Sequence, residues 1–527
     1  MLDIIIRGGS VVDGSGQRPS YKADVGIKDD EIFSIGDLEE EIADLEIDAR
    51  GKIVAPGFVD INNHSDTHWT LFRYPNQESL LSQGVTTIVG GNCGSSLAPI
   101  LGEGSIKSLQ KWINLKNVQI DWDRVNEFLD YLEDNKTFGV NFATLIGHAT
   151  LRRGILNEEN RPLKNEELAV LAKEVERGLL GGAFGLSAGL SYSHVRGTTK
   201  KEILVLSEKV KELGGMMSFH LKNEDEDLIK SLKEVIEVAK ISGVNLQISH
   251  LKVLGKKSWH SFDRALNLIE KANESGANIN FDVYPYIFSG PVLYTLLPTW
   301  LTEGGKAELL KKLKNKRMKR KAILEMNKSS LNFGKVVIAS CPFSKFLIKR
   351  KIEEIAKARD VSPAEVILDL IVASEDQITV FAKLLSERNV KHAISHKDSI
   401  ISSNGEGYSL EESASGNLVH PRSFGTFSRM IGHYVRDKEL LPLEKAVYKM
   451  SGLPAAKVGV PLRGELKEGY KADVQVFSLP AMKDHSTINY PYKMAEGTEW
   501  VIVNGKVAVE KGKVVGGARY GKILRKK

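Results

Sequence analysis

MMSFHLKNEDEDLIKSLKEVIEVAKISGVNLQISHL, residues 216–251, decides how this chain is read. It opens on a short apolar run ending in His220 and passes through an amphipathic stretch over 225–242. It closes on a second apolar run, NLQISHL, ending near His250. A helix of that length between two apolar strands implies parallel pairing through a right-handed crossover.

The unit repeats on both sides. Helices are predicted over 164–181, 199–213 and 260–275, each followed by an apolar strand: AFGLSAG, MMSFHL and NINFDVYP. The strand ends His220, His250 and Asp282 fall 30 and 32 residues apart, one strand–helix unit each. Extended along the chain, the pattern offers eight strand ends: Asp60–His64, Cys93, His148, Ser187, His220, His250, Asp282–Tyr284 and the HAISHKD run near Asp398. Eight parallel units predict a (β/α)8 TIM barrel, whose chemistry lies at the carboxyl ends of its strands. Residues 1–56 and 455–527 have a different texture, short β runs between Gly and Asp turns, and are expected to form one small β-sandwich from both termini. The barrel then spans 57–454. A Lys- and Leu-rich stretch at about 287–350 interrupts its rhythm as an insertion over the active-site mouth.

Composition narrows the function. A length of 527 residues suits a barrel plus an accessory domain, and 42% hydrophobic with 27% charged residues is ordinary for a globular protein. A net charge of +6, from 73 basic and 67 acidic residues, is too balanced to predict a nucleic-acid partner. The basic runs at 311–321 and in the ILRKK tail read as solvated faces. Two cysteines make no disulfide framework and suggest a cytoplasmic protein. The MLDIIIRGGS start reads as a strand rather than a signal peptide, and no apolar stretch reaches the about 18 residues of a membrane span.

Cys93, in TTIVGGNCG, and His220 and His250 recur at the same point of the repeating unit. One thiolate with two imidazoles suits zinc over magnesium or calcium. A three-ligand site leaves a position open for water, whose pKa the metal lowers toward about 7. Gly90, Gly91 and Gly94 lack the spacing of a nucleotide loop and read as the turn around Cys93. Cys341 reads as a buried small residue, and the acidic run Glu224–Asp227 as a helix opening.

The chain resembles the N-acyl-D-amino-acid deacylases (D-aminoacylases) of the amidohydrolase superfamily nearly end to end. The resemblance runs through GFVDINNHSD (57–66), QGVTTIVGGNCGSSLAP (83–99), LIGHATLRRGIL (145–156) and GAFGLSAGLSY (182–192). It continues through FHLKNEDE (219–226), QISHLKVLG (247–255), FDVYPY (281–286) and VHPRSFGTFSRMIGHYVRD (419–437). LEKAVYKMSGLPAAKVG (443–459) and RGELKEGYKADVQVF (463–477) complete it.

The resemblance implies zinc-dependent hydrolysis of N-acyl-D-amino acids, small-molecule substrates, to a carboxylate and a free D-amino acid. It places the tight metal on Cys93, His220 and His250, and a weaker metal partly on His64. The usual His-x-His becomes Asn62-Asn63-His64 here, which predicts a single zinc; His68 lies beyond that strand end. Asp398, in ISHKDS, is assigned to proton transfer as the only carboxylate of that run. Lys252, Tyr284, Ser289 and Arg422 are expected to grip the substrate carboxylate, while Tyr192 and His148 are expected either to line the site or to be structural. Two alternatives stand beside this reading: a hydantoinase- or dihydroorotase-like cyclic amide hydrolase, against which Cys93 and Arg422 argue, and a non-catalytic barrel kept for assembly. Self-association is compatible with all three.

Overall fold

The computed structural model describes residues 1–109, 120–157, 159–329, 331–374 and 378–527. Its centre is the expected barrel. The strands are β1 (Phe58–Asp60), β2 (Val85–Gly90), β3 (Asn141–Thr144, resumed as Ile146–Gly147) and β4 (Gly185–Gly189). They continue as β5 (Met216–His220), β6 (Asn245–Ile248), β7 (Ile279–Val283) and β8 (Ser399–Ile401). Every ladder between neighbours is parallel. The ring closes beyond the ends of β8 and β1, where Asn63 bridges Gly405 and the His64 amide donates to the Gly405 carbonyl at 2.8 Å.

The helices between strands follow from their apolar spacing. Asn165–Leu180 buries Leu168, Leu171, Val175 and Leu179, a stripe at helical period facing the strands. Leu228–Ser242 buries Leu228, Leu232, Val235, Ile236 and Ala239, and stops at Gly243, whose φ of 65° is the left-handed turn that ends helices. Lys200–Glu212 starts at Thr199, whose hydroxyl accepts from the Glu202 amide, and Phe262–Glu274 completes the four expected helices.

Two boundaries are corrected. The excursion between β7 and β8 does not end near 350. It continues through the helices Ile352–Arg359 and Pro363–Ser374 and the strand Thr379–Phe381, sharing a separate core of Leu293, Leu301, Ile338, Ile367 and Val380. The apolar PAEVILDLIVAS helix imitates a barrel helix in sequence, which hid the true extent. The eighth strand is also displaced. The HAIS part of HAISHKD closes the helix Glu387–Ser395, and the strand is the SII that follows Asp398. Asn389, Val390, Ala393 and Ile394 form that helix's buried face, and their apolar cluster is what resembled a strand.

Strands from both termini share one nine-stranded sheet. Most of its ladders are antiparallel, but Leu2–Val11 runs parallel to Ala43–Asp48 and to Ile53–Pro56. Ile4, Ile6, Val25, Ile27, Val474 and Ile502 fill its core. The last residues return to the barrel, where Gly521 bridges Phe138 and Ile523 bridges Phe142 beside β3.

Candidate metal centre and substrate cavity

The GGNCG turn after β2 needs its glycines. A side chain on Gly91, φ 72°, would meet the Leu145 carbonyl at 2.0 Å, and one on Gly94, φ 80°, would meet the Gly189 amide at 2.6 Å. Ser187, at the middle of β4, ties the turn down by accepting from the Gly94 amide and donating to the Gly91 carbonyl. Cys93 itself is left-handed at φ 52°, and His250 at φ 37°. Such backbone is costly for non-glycine residues and persists where surrounding structure imposes it.

These turns bring Cys93, His220 and His250 together, with one ligand atom from each lying within 4.8 Å of the others. Cys93 Sγ stands 3.5 Å from His250 Nε2, and the two imidazole rings meet edge-on at 4.4 Å between centroids. His250 Nδ1 is faced by Lys252 Nζ at 2.8 Å and by Glu224 Oε1 at 3.1 Å, and its Nε2 points to Cys93. Lys252 Nζ, 2.6 Å from the same carboxylate oxygen, balances its charge. Burial, reinforced by Lys252, holds His250 well below its usual pKa, so it is neutral as a ligand must be. One cysteine and two histidines converging from β2, β5 and β6 fit a tetrahedral, three-ligand zinc site.

His64 stands beside this group rather than within it. Its Nε2 is 3.9 Å from Cys93 Sγ and pairs with Asn404 Oδ1 at 2.9 Å. Burial, then the neighbouring His68, drops its pKa to about 3, so its Nε2–H donates to that amide oxygen. Asn62 turns away, its amide donating to Asp282 at 3.1 Å. Asp282 also accepts from Gln247, Ser402 and the His250 amide, so this buried carboxylate locks three strand ends and binds no cavity group.

The triad opens into a cavity of about 430 Å³. Tyr192, Lys252, Tyr284, Ser289 and Arg422 line it as expected. The Arg422 guanidinium lies over the Tyr284 ring at 5.1 Å. Among the described residues neither the buried Arg422 Nε nor the Tyr284 hydroxyl has a hydrogen-bond partner. Tyr192 packs on His220, ring centroids 5.3 Å apart. His148 is elsewhere, buried against Glu202 at 2.7 Å with Arg152, a structural cluster under the helices.

Asp398 is corrected. It precedes β8, and its carbonyl accepts from Phe281 near the amino end of β7. The cavity opens past the carboxyl ends, beyond Ile401, so the strand itself separates Asp398 from the site at about 3.3 Å per residue. The residue that β8 delivers to the cavity is Asn404, followed by Glu406. Glu406 Oε1 lies 2.5 Å from His68 Nδ1. Burial raises its carboxyl, but His68, then Arg422 and His64, more than offset this and keep it ionised. Asn404, Glu406 and the role of His68 escaped the sequence reading because polar residues in a turn after a strand are commonplace. The signal that could have found them is the SII strand followed by the NGEG turn.

The chain is similar in sequence and fold to known proteins. Residues 45–262 match the amidohydrolase family. A D-aminoacylase of Alcaligenes xylosoxydans xylosoxydans is 32% identical over 505 residues, covering 96% of this chain and 94% of that protein. A D-aminoacylase crystal structure described for its binuclear metal centre superimposes with a TM-score of 0.84 at 30% identity, each chain fully covered. An N-acyl-D-glutamate deacylase from Bordetella bronchiseptica, complexed with zinc and a phosphonate mimic of the tetrahedral intermediate, gives 0.84 at 26% identity, again with full coverage of both chains.

Proposed function

The chain belongs to the D-aminoacylase family of amidohydrolases, and from that premise we propose that its cavity binds N-acyl-D-amino acids and hydrolyses their amide bond. The products are a carboxylate and a free D-amino acid. The cofactor is zinc, which Cys93, His220 and His250 would hold. With Asn62 turned to Asp282 and His64 spent on Asn404, one ion is the working complement. Zinc there supplies a Lewis acid that polarises the scissile carbonyl and activates the attacking water.

The side chains do the rest. Arg422 is the observation that carries the reading: a buried guanidinium in the cavity wall with donors to spare. A carboxylate is the complement of that fork, and Tyr284, Ser289 and Lys252 are placed to share it. Glu224 and Lys252 together hold the His250 ring from its Nδ1 side. Asn404 orients His64 beside Cys93, and burial keeps that ring neutral. Proton transfer belongs to His68, whose Nδ1 is oriented by Glu406 and which lines the same cavity. Among the carboxylates there, Glu224 is tied to Lys252 and Glu412 to Tyr74. Walls built from the long excursion exclude water around the substrate. With Cys93 and Cys341 in no disulfide among the described residues, and Cys93 proposed as a metal ligand, the reducing cytoplasm is the fitting compartment. Among the described residues no helix is long and apolar enough to cross a membrane.

The test is turnover by zinc-loaded enzyme of an N-acyl-D-amino acid panel against the L-enantiomers and against hydantoin. Release of free D-amino acid, with the L-forms and hydantoin inert, is expected. Turnover of hydantoin alone would overturn the reading. Arg422→Met should raise KM for every substrate by about 100-fold, the cost of an unmet buried carboxylate contact.

A further inference from the structure

Two cations on the cavity wall are not used by that chemistry. Arg196 follows the single turn Ser193–Val195 that comes after β4, and Lys222 follows His220 by two residues. Both line the cavity. Arg73 and Lys252, on the same wall, are answered by Glu412 and Glu224. Arg196 and Lys222 are not: among the described residues neither has a carboxylate within 4.0 Å, and Lys222 makes no hydrogen bond. Arg196 Nη2 reaches only the Ser191 carbonyl, at 3.3 Å, and its buried Nε has no acceptor among the described residues. Asp225 and Glu303 stand near enough to soften the cost of burial but too far to pair. Arg196 is half-buried, and a partly desolvated guanidinium without a partner is costly, a cost that a ligand bringing the partner would relieve.

The position of this pair is defined by the metal site. Ser191, whose carbonyl anchors Arg196, places its hydroxyl 2.8 Å from His220 Nε2. Arg196 and Lys222 therefore enter from the β4 and β5 side. Arg422, Tyr284 and Ser289 enter from β7, the excursion and the segment after β8. The scissile amide must lie between the two sets, above the triad. Between them Leu254, Val292 and Leu296 offer apolar wall for a short methylene chain.

We propose that Arg196, assisted by Lys222, forms a second anion subsite, so that the substrates of this enzyme carry a second carboxylate besides the one on the α-carbon. That carboxylate belongs either to an acidic D-amino-acid side chain or to the far end of a dicarboxylic acyl group. The inference rests on the deacylase reading above and deepens it.

The experiment compares kcat/KM of the zinc-loaded enzyme for N-acetyl-D-glutamate, N-acetyl-D-aspartate, N-succinyl-D-leucine and N-acetyl-D-leucine. At least one dicarboxylate is expected to exceed N-acetyl-D-leucine by about 100-fold, through KM. The D-glutamate and D-aspartate arms against the succinyl arm tell which half of the substrate carries the group. Arg196→Met should collapse the ratio to within about 3-fold, while Arg196→Lys, which keeps the charge, should retain about 10-fold or more. N-acetyl-D-leucine turned over as well as the dicarboxylates, or a ratio unmoved by Arg196→Met, overturns the subsite. If no N-acyl-D-amino acid is turned over, the deacylase reading fails. Calorimetric titration with N-acetyl-D-glutamate and N-acetyl-D-leucine then decides the subsite alone: a preference lost in Arg196→Met supports it, and equal binding overturns it.

Discussion

Cys93 is held at φ 52° by glycines that admit no side chain, with Ser187 bonded to the turn on both sides. Energy is stored there to aim one thiol at two imidazoles. Cys93→Ala removes the thiol of the proposed zinc site, and the purified protein should then retain under about 0.3 zinc per chain by elemental analysis, with hydrolysis lost. Asp398 and His68 make opposite predictions. Asp398→Asn should leave kcat/KM within about 2-fold, because the side chain sits at the far end of β8. His68→Asn and Glu406→Gln should each lower kcat by about 100-fold or more, the usual size of a lost acid–base contribution, with zinc content intact. Equal activity in all three variants would remove His68 from proton transfer. The triad was legible in the sequence because each member is a chemically distinctive residue ending an apolar run. His68 and Glu406 were not, since only their approach across a separation of 338 positions makes them a pair.

The element that decides the cavity is β8 with its following turn. Three residues of strand end at Ile401, and Ser402, Ser403 and Asn404 then reach the floor. Ser403 donates its amide and hydroxyl to Asp60 at the end of β1, and its oxygen accepts from the Gly405 amide. Asp60 is fully buried; burial, only partly offset by Asn63 and Ser403, raises its pKa to about 6. Ser403→Ala leaves that carboxylate short of a donor and should cost about 1–3 kcal/mol by denaturant unfolding, more than a surface Ser→Ala change. Hydrophobic periodicity located the other strands well, because each is a run of buried apolar residues between amphipathic helices. It failed at β8, where HAIS belongs to a helix and a three-residue strand leaves too short a signal.

At the scale of the whole molecule, both ends of the chain brace the barrel. The tail bridges Phe138 and Phe142 through Gly521 and Ile523, and Arg525 pairs with Asp130 and Glu133. Ending the chain at Gly517 should lower the thermal midpoint by several degrees while β1 to β8 still form, since Ile523 and Leu524 leave an apolar edge bare. Under the barrel, Lys457 is nearly enclosed, its ammonium donating to Asn278, and burial, little relieved by Asp398, lowers its pKa to about 7. Between pH 7 and about 10 the unfolded chain then holds a proton that the folded chain has released, so this residue makes stability rise with pH in that window. Lys457→Met should flatten the slope of unfolding free energy against pH there, and an unchanged slope would show that the folded lysine stays charged. The sequence by itself determined the repeating strand–helix unit, the barrel, the pairing of the two ends in a single sheet and the grouping of Cys93, His220 and His250 proposed to hold the metal, because hydrophobic period and ligand chemistry are carried by neighbouring residues. Only the tertiary structure decided that Asn404 and Glu406 rather than Asp398 face the cavity, that Asn62 is spent on Asp282, and that Arg196 and Lys222 are left unanswered. Those outcomes depend on how β8 closes against β1 and on what the long excursion covers, and closure joins residues hundreds of positions apart that no local pattern connects.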